Sequence, residues 1–129
     1  MMDIAENREH APEACLLLDL ARRGIIQACV APITYTTVSF LLHRYGKEQV
    51  HEMLQRLSSG VEVLPMDAVQ FHKAMAYGPV RDFEDMMQYQ CAASGGCEVI
   101  VTGDRKGFEG YSALPVMTAA EFLQSMMKQ

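Results

Sequence analysis

A chain of 129 residues with half of its side chains apolar can enclose one sizeable hydrophobic core, so a single domain over residues 1–129 is expected. No apolar run approaches the roughly 18 residues of a membrane span, and the polar segment Met1 to Ala11 does not read as a signal peptide. A soluble, cytoplasmic protein is expected, and its formal charge of −5 argues against a general electrostatic grip on nucleic acid, though not against a site built from carboxylates.

Helical patterns alternate with short β-rich runs, the signature of an α/β fold with a parallel sheet. Pro12 suits a first helical turn, and Leu16, Leu17, Leu20 and Ala21 follow as an apolar stripe that stops at Gly24. Residues 25–30 read as a buried strand. Pro32 opens a helix over 33–45 with Val38, Leu41, Leu42 and Tyr45 inward, and Gly46 interrupts it. The next helix, over 47–57, is apolar at Val50, Met53, Leu54 and Leu57, and Ser58-Ser59-Gly60 closes it. A second strand over 61–64 ends at Pro65. Asp67 caps a helix reaching Ala76, and Gly78-Pro79 is a break. A helix over 82–93 closes at Gly95-Gly96, and a strand over 98–102 leads into Gly103-Asp104. A short last strand holds Val116. Thr118-Ala-Ala-Glu121 forms a capping box for a final helix with Phe122, Leu123 and Met126 inward. Sites in parallel α/β sheets lie at the carboxyl ends of strands, here just after Val30, Leu64 and Val101.

Several chemistries lack support. Cys15, Cys29, Cys91 and Cys97 have no zinc-type spacing and read as buried free thiols. His10, His43, His51 and His72 are dispersed, without a nucleophile motif beside them. The ten methionines read as core or interface filler, and Arg22-Arg23 and Arg105-Lys106 as solvated pairs. A phosphatase lacks its Asp-x-Asp at a strand end.

Two acidic features remain. In Asp82-Phe-Glu-Asp85 the three-residue spacing sets both aspartates on one face of a helix start, and Asp104 follows a strand end in Thr102-Gly-Asp104. Carboxylates so placed can converge on one cleft and hold Mg²⁺ or Mn²⁺, which activates water and neutralises a phosphodiester. A purely structural reading is also open: Asp82 as an N-cap, Asp85 favouring the positive helix end, Asp104 forming a turn.

The segments Asp82-Phe-Glu-Asp-Met-Met-Gln-Tyr-Gln-Cys-Ala-Ala, Val-Ile-Val-Thr-Gly-Asp-Arg-Lys-Gly-Phe and Leu-Pro-Val-Met-Thr-Ala-Ala-Glu-Phe-Leu resemble the PIN-domain family. Asp3 to Arg8 resembles the part after that family's first strand, and Ala31-Pro-Ile-Thr-Tyr-Thr-Thr-Val-Ser-Phe-Leu-Leu its second-helix start. The resemblance spans nearly the whole chain. It implies a three-layer α/β/α fold with a short parallel sheet and a Mg²⁺- or Mn²⁺-dependent ribonuclease acting on single-stranded RNA. Such domains often serve as toxins, with an antitoxin protein as partner. Asp85 and Asp104 match the family's catalytic and metal-holding acids, with Asp82 as a further metal-side carboxylate. Thr102, Thr37 and Arg105 are the candidate substrate contacts. The sequence departs from the pattern in three places. Thr37 stands where the second helix often carries an acid, and Gly107 where a second acid follows the fourth strand. The family's leading strand, ending in Asp-x-Asn, has no counterpart before Met1-Met2-Asp3, which leaves Asp3 as the one acid nearby. A misassigned start, a truncation, or a homodimer covering an open sheet is expected to account for this. The alternative function is an inactive module that binds RNA or a protein.

Overall fold

The structure, a computed structural model, describes residues 11–108 and 110–127. The readings placed on Asp3 and on the segment Asp3 to Arg8 lie outside those residues. Six α-helices and four strands follow one another: α1 (Ala11–Arg22), β1 (Ala28–Val30), α2 (Pro32–Leu41), α3 (Lys47–Ser58), β2 (Val61–Val63), α4 (Ala68–Tyr77), α5 (Phe83–Ser94), β3 (Ile100–Val101), β4 (Val116–Met117) and α6 (Ala119–Met127). Single 3₁₀ turns occupy His43–Tyr45 and Arg105–Gly107. No helix among the described residues is long and apolar enough to cross a membrane.

The strands form two parallel pairs, β1 with β2 and β3 with β4, that are not joined to one another among the described residues. Strands alternate their side chains between faces, and in β1 and β3 both faces are covered. Cys29 and Ile100 enter one core with Leu64, Cys91, Ala92 and Phe108, on the α5 side. Ala28 and Val101 enter another, with Leu17, Leu18, Ala21 and Ala119 of α1 and α6. A parallel sheet buried on both sides by helices is the expected three-layer α/β/α arrangement. A cavity of about 260 Å³ lies between the pairs, lined by residues that include Ala28, Cys29, Val99 and Val101.

The helix ends follow the chemistry of their residues. Asp67 accepts from Val69 N at 2.8 Å while Gln70 Oε1 accepts from Asp67 N at 2.8 Å, a full capping box on α4. Thr118 and Glu121 make the reciprocal pair on α6, at 2.9 and 3.1 Å. Its backbone partner at Thr118, more than Arg105, holds the Glu121 carboxyl below the usual range.

Four expectations need correction. The α1 stripe is one residue out of register: Leu17, Leu18 and Ala21 are buried and Leu16 is exposed. Helix α2 stops at Leu41, not Tyr45, as the His43 ring nitrogen sits 2.7 Å from the Phe40 carbonyl and the chain tightens into a 3₁₀ turn. Leu41 and Tyr45 consequently face solvent, leaving Val38 and Thr34 as the buried positions of α2. Cys15 is exposed and Cys97 half-buried, so only Cys29 and Cys91 are buried thiols. Burial, followed by the neighbouring Cys97, pushes the Cys29 thiol up to about 11, and burial, followed by Asp67, does the same to Cys91.

Arg22 is not a free surface cation. Its Nη2 donates to Arg56 O at 2.8 Å, tying the end of α1 to the end of α3, while Arg23 pairs with Asp19 at 3.2 Å. Directly beneath, Gly60 turns the chain into β2 at φ +75°, and a Cβ there would lie 2.9 Å from Arg22 Cα. Both the backbone angle and the contact require glycine. Gly60→Ala is expected to destabilise the fold by about 1–3 kcal/mol in urea denaturation, and an unchanged midpoint would rule this packing out.

Candidate functional site

Helix α5 sets the site. Asp82 is its N-cap, in extended backbone conformation, and its Oδ1 accepts from Asp85 N at 3.2 Å. That leaves Asp85 in the first turn, where the helix dipole favours a carboxylate. The rotation of α5 is fixed by Met86, Met87, Cys91 and Ala92, all buried, and it turns Asp85 inward to 5% exposure. Opposite, Thr102 follows β3 and is itself buried, and its hydroxyl accepts from Asp104 N at 3.1 Å. The 3₁₀ turn Arg105–Gly107 then carries the chain to Phe108, which is 1% exposed and anchored in the α5-side core.

The two halves meet at Gly107. A Cβ on this residue would collide with Asp85 Oδ2 and stand 3.6 Å from Asp104 Oδ2. One buried carboxylate and one exposed carboxylate therefore converge on the space that a side chain at position 107 would fill. They line a cleft of about 330 Å³ together with Asp82, Arg81, Lys106 and Tyr111. Among the described residues, no group of three or more His, Cys, Asp or Glu is close enough to hold a metal ion.

The other candidates are placed less directly. Asp82 lines the cleft while capping α5. Thr102 is spent on holding Asp104. Thr37 donates its hydroxyl to Glu84 Oε1, one residue before Asp85, and also lies 3.2 Å from Ile33 O. Arg105 turns away to Glu121 of α6 at 3.3 Å, an exposed pair, and its neighbour Lys106 lines the cleft instead. The structure thus brings Asp82, Asp85 and Asp104 to one cleft and leaves Thr37, Thr102 and Arg105 engaged with protein partners.

Two participants were not singled out from sequence. Glu84 lay inside the acidic motif, yet only the α2–α5 contact reveals its partner. Tyr111 gave no sequence signal at all. Its ring packs edge-on to Tyr77 at 5.6 Å and to Tyr89 at 5.4 Å, and its buried hydroxyl has no hydrogen-bond partner among the described residues. Burial first, then the charges of Asp85 and Asp82, push the Tyr111 phenol above its ordinary value.

An α/β domain with acids gathered at the carboxyl end of β3 and the start of the preceding helix is the class that fold and cleft define. Residues 1–106 match the family model described as the PIN domain, and the chain belongs to that family. Among curated proteins, Ribonuclease VapC1 of Aquifex aeolicus (strain VF5) is 25% identical over 93 residues, covering 69% of this chain and 63% of the relative. The chain thus matches less than two thirds of that relative's length. No solved structure matches the chain.

Capping and charge can be separated at Asp82. Asp82→Ala is expected to cost about 1 kcal/mol of stability in chemical denaturation, with Asp82→Asn much nearer wild type because an amide oxygen still caps; equal losses in both would remove the capping role. Tyr111→Phe keeps the ring contacts and deletes a hydroxyl without a partner, so stability should hold or rise by up to about 1 kcal/mol. A marked drop in the denaturation midpoint would mean that the hydroxyl is satisfied within the fold.

Proposed function

We propose that this chain is a ribonuclease of the PIN-domain family that cleaves single-stranded RNA with Mg²⁺ or Mn²⁺, with Asp85 and Asp104 as its catalytic and metal-holding acids. The observation that carries this reading is their convergence over Gly107, at the carboxyl end of β3. The donor set suits such a cation, since Mg²⁺ is commonly held by one or two carboxylates together with substrate phosphates. When bound, the ion supplies a polarised water as nucleophile and neutralises charge on the phosphodiester.

The chain's own residues do the rest. Asp85, buried at a helix start and backed by Gly107, is a fixed carboxylate. Asp104 is exposed at the rim, where the Thr102 hydroxyl braces its backbone. Asp82 contributes negative charge from the edge while keeping α5 capped. Lys106 and Arg81 place cations on the same wall, within reach of an incoming phosphate. Substrate contacts from Thr37, Thr102 and Arg105 require these side chains to exchange their present partners.

Family membership and a relative named as a ribonuclease support RNA as the substrate. The resemblance extends the reading to a cytoplasmic toxin with an antitoxin protein as partner, and the two strand pairs, unjoined among the described residues, support assembly as a homodimer. An inactive module that binds RNA or protein is the second reading, favoured by the lack of a third metal-side group among the described residues.

Cleavage of a fluorogenic single-stranded RNA separates the two. Metal-dependent turnover by the wild type should vanish with EDTA and fall at least about a hundredfold in Asp85→Asn and in Asp104→Asn. Turnover that survives both substitutions sinks the ribonuclease assignment to this cleft, and a wild type with no turnover favours the binding module.

A further inference from the structure

The two strand pairs share no ladder among the described residues, and a cavity of about 260 Å³ lies between them. A thiol stands on each side of it. Cys29 is the central residue of β1 and is 8% exposed. Cys97 is half-buried in the segment that joins α5 to β3. Both line the cavity, and Cys97 packs against the core cluster that contains Cys29, whereas Cys15 and Cys91 do not line the cavity.

Backbone sets the position of Cys97. Gly95 caps α5, Gly96 turns the chain at φ +74°, and the Cys97 N–H then donates to Ala92 O at 3.0 Å. This turn brings the Cys97 side chain to Cys29, and the two thiols are hydrogen-bonded. Cys29 Sγ also donates to Glu62 Oε2 at 3.8 Å. Side chains that meet thiol to thiol point toward each other, as a disulfide requires. The two differ in reach. Cys97 is open enough to meet a soluble oxidant, while burial, followed by Cys97 itself, pushes the Cys29 thiol up to about 11 and keeps it protonated at neutral pH. Cys97 is therefore the first nucleophile of the pair and Cys29 the second.

We propose that Cys29 and Cys97 are a redox-responsive pair that closes reversibly to a disulfide across this cavity, clamping the β1–β2 pair to the β3–β4 pair. The oxidant is a low-molecular-weight disulfide of the glutathione class. The Cys97 thiolate attacks one of its sulfurs, forming a mixed disulfide and expelling one small thiolate. Cys29, losing its proton as it attacks, takes the Cys97 sulfur and expels the second small thiolate. The two protein protons end on the two small thiols, so a pair of protein thiols is oxidised and one small disulfide is reduced. Exchange with a reduced dithiol reopens the pair. In a reducing compartment the dithiol form is the resting one, and the clamp closes when the thiol pool is oxidised. The clamp depends on the fold alone and stands whether or not the acidic cleft cleaves RNA.

The test uses the whole chain with Cys15→Ser, which removes the exposed thiol able to link two copies. Oxidised glutathione should convert it to a monomer two hydrogens lighter by intact mass, with Cys29 joined to Cys97 in the peptide map. Maleimide labelling under denaturation should then find only Cys91 free. The urea midpoint should rise by roughly 1 M or more and return on addition of dithiothreitol. Cys29→Ser and Cys97→Ser, each in the same background, should abolish both the linkage and the rise. The mapping needs neither variant, so it decides the assignment even where one of them fails to fold. A chain that keeps its thiols in excess oxidised glutathione, or that stops at a glutathione adduct on Cys97, overturns the proposal. So does a linkage through Cys91, or a linked chain whose midpoint does not rise.

Discussion

A buried carboxylate is tolerated only where the surroundings give it room and favourable dipoles, and at Asp85 backbone contributes to both. The first turn of α5 supplies its unpaired N–H groups and dipole, and the bare Cα of Gly107 supplies the room. Other features of the cleft follow from keeping these two elements in register. Phe108, next in the chain, is fully buried and holds Gly107 down, while Met86 and Cys91 bury the inward face of α5. A rotation of α5 by one residue, about 100°, would bring Glu84 or Met86 to Gly107 and take Asp85 out of the cleft. The hydrophobic core therefore aims the acid, and Asp82, through its cap, decides where the helix that carries it begins.

The two converging carboxylates are unlike. Asp85 is enclosed, whereas Asp104 sits on an exposed turn whose backbone N–H donates to the Thr102 hydroxyl. A rigid donor paired with an adjustable one suits a cation that must also accept substrate oxygens, because the exposed partner can follow the ligand while the buried one fixes its position.

Most of the framework was legible because local chemistry and tertiary packing agree. Asp67, Thr118 and Asp82 each announced a helix start and each accepts a backbone N–H at that start. The pairing of Asp85 with Asp104 followed from placing one on a helix start and the other at a strand end. What failed had a tertiary cause. Helical periodicity cannot tell Leu16 from Leu18, since both lie near the edge of one stripe, and the sheet chose Leu18. The early end of α2 depends on His43 reaching a carbonyl one turn back. Arg105 and Lys106 are equivalent as letters, and only the position of Glu121 on α6 takes Arg105 out of the cleft. Tyr111 belongs to a loop whose path no pattern encodes.

The least expected role is that of α2. Its Thr37, at the position where an acid was looked for, carries no charge but donates to Glu84, and one turn earlier the buried Thr34 hydroxyl accepts from Gln88 Nε2 at 3.2 Å. Glu84 and Gln88 are themselves one turn apart on α5, so the two contacts form a polar seam between the helices. Apolar packing alone is permissive about rotation, since neighbouring side chains can exchange places at modest cost, while paired hydrogen bonds are directional. The seam helps to fix the angle of α5 about its own axis, and that angle is what points Asp85 at Gly107. Helix α2 thus acts on the cleft through position, and an acidic side chain at residue 37 would set a second carboxylate against Glu84 and loosen the seam that keeps Asp85 in place.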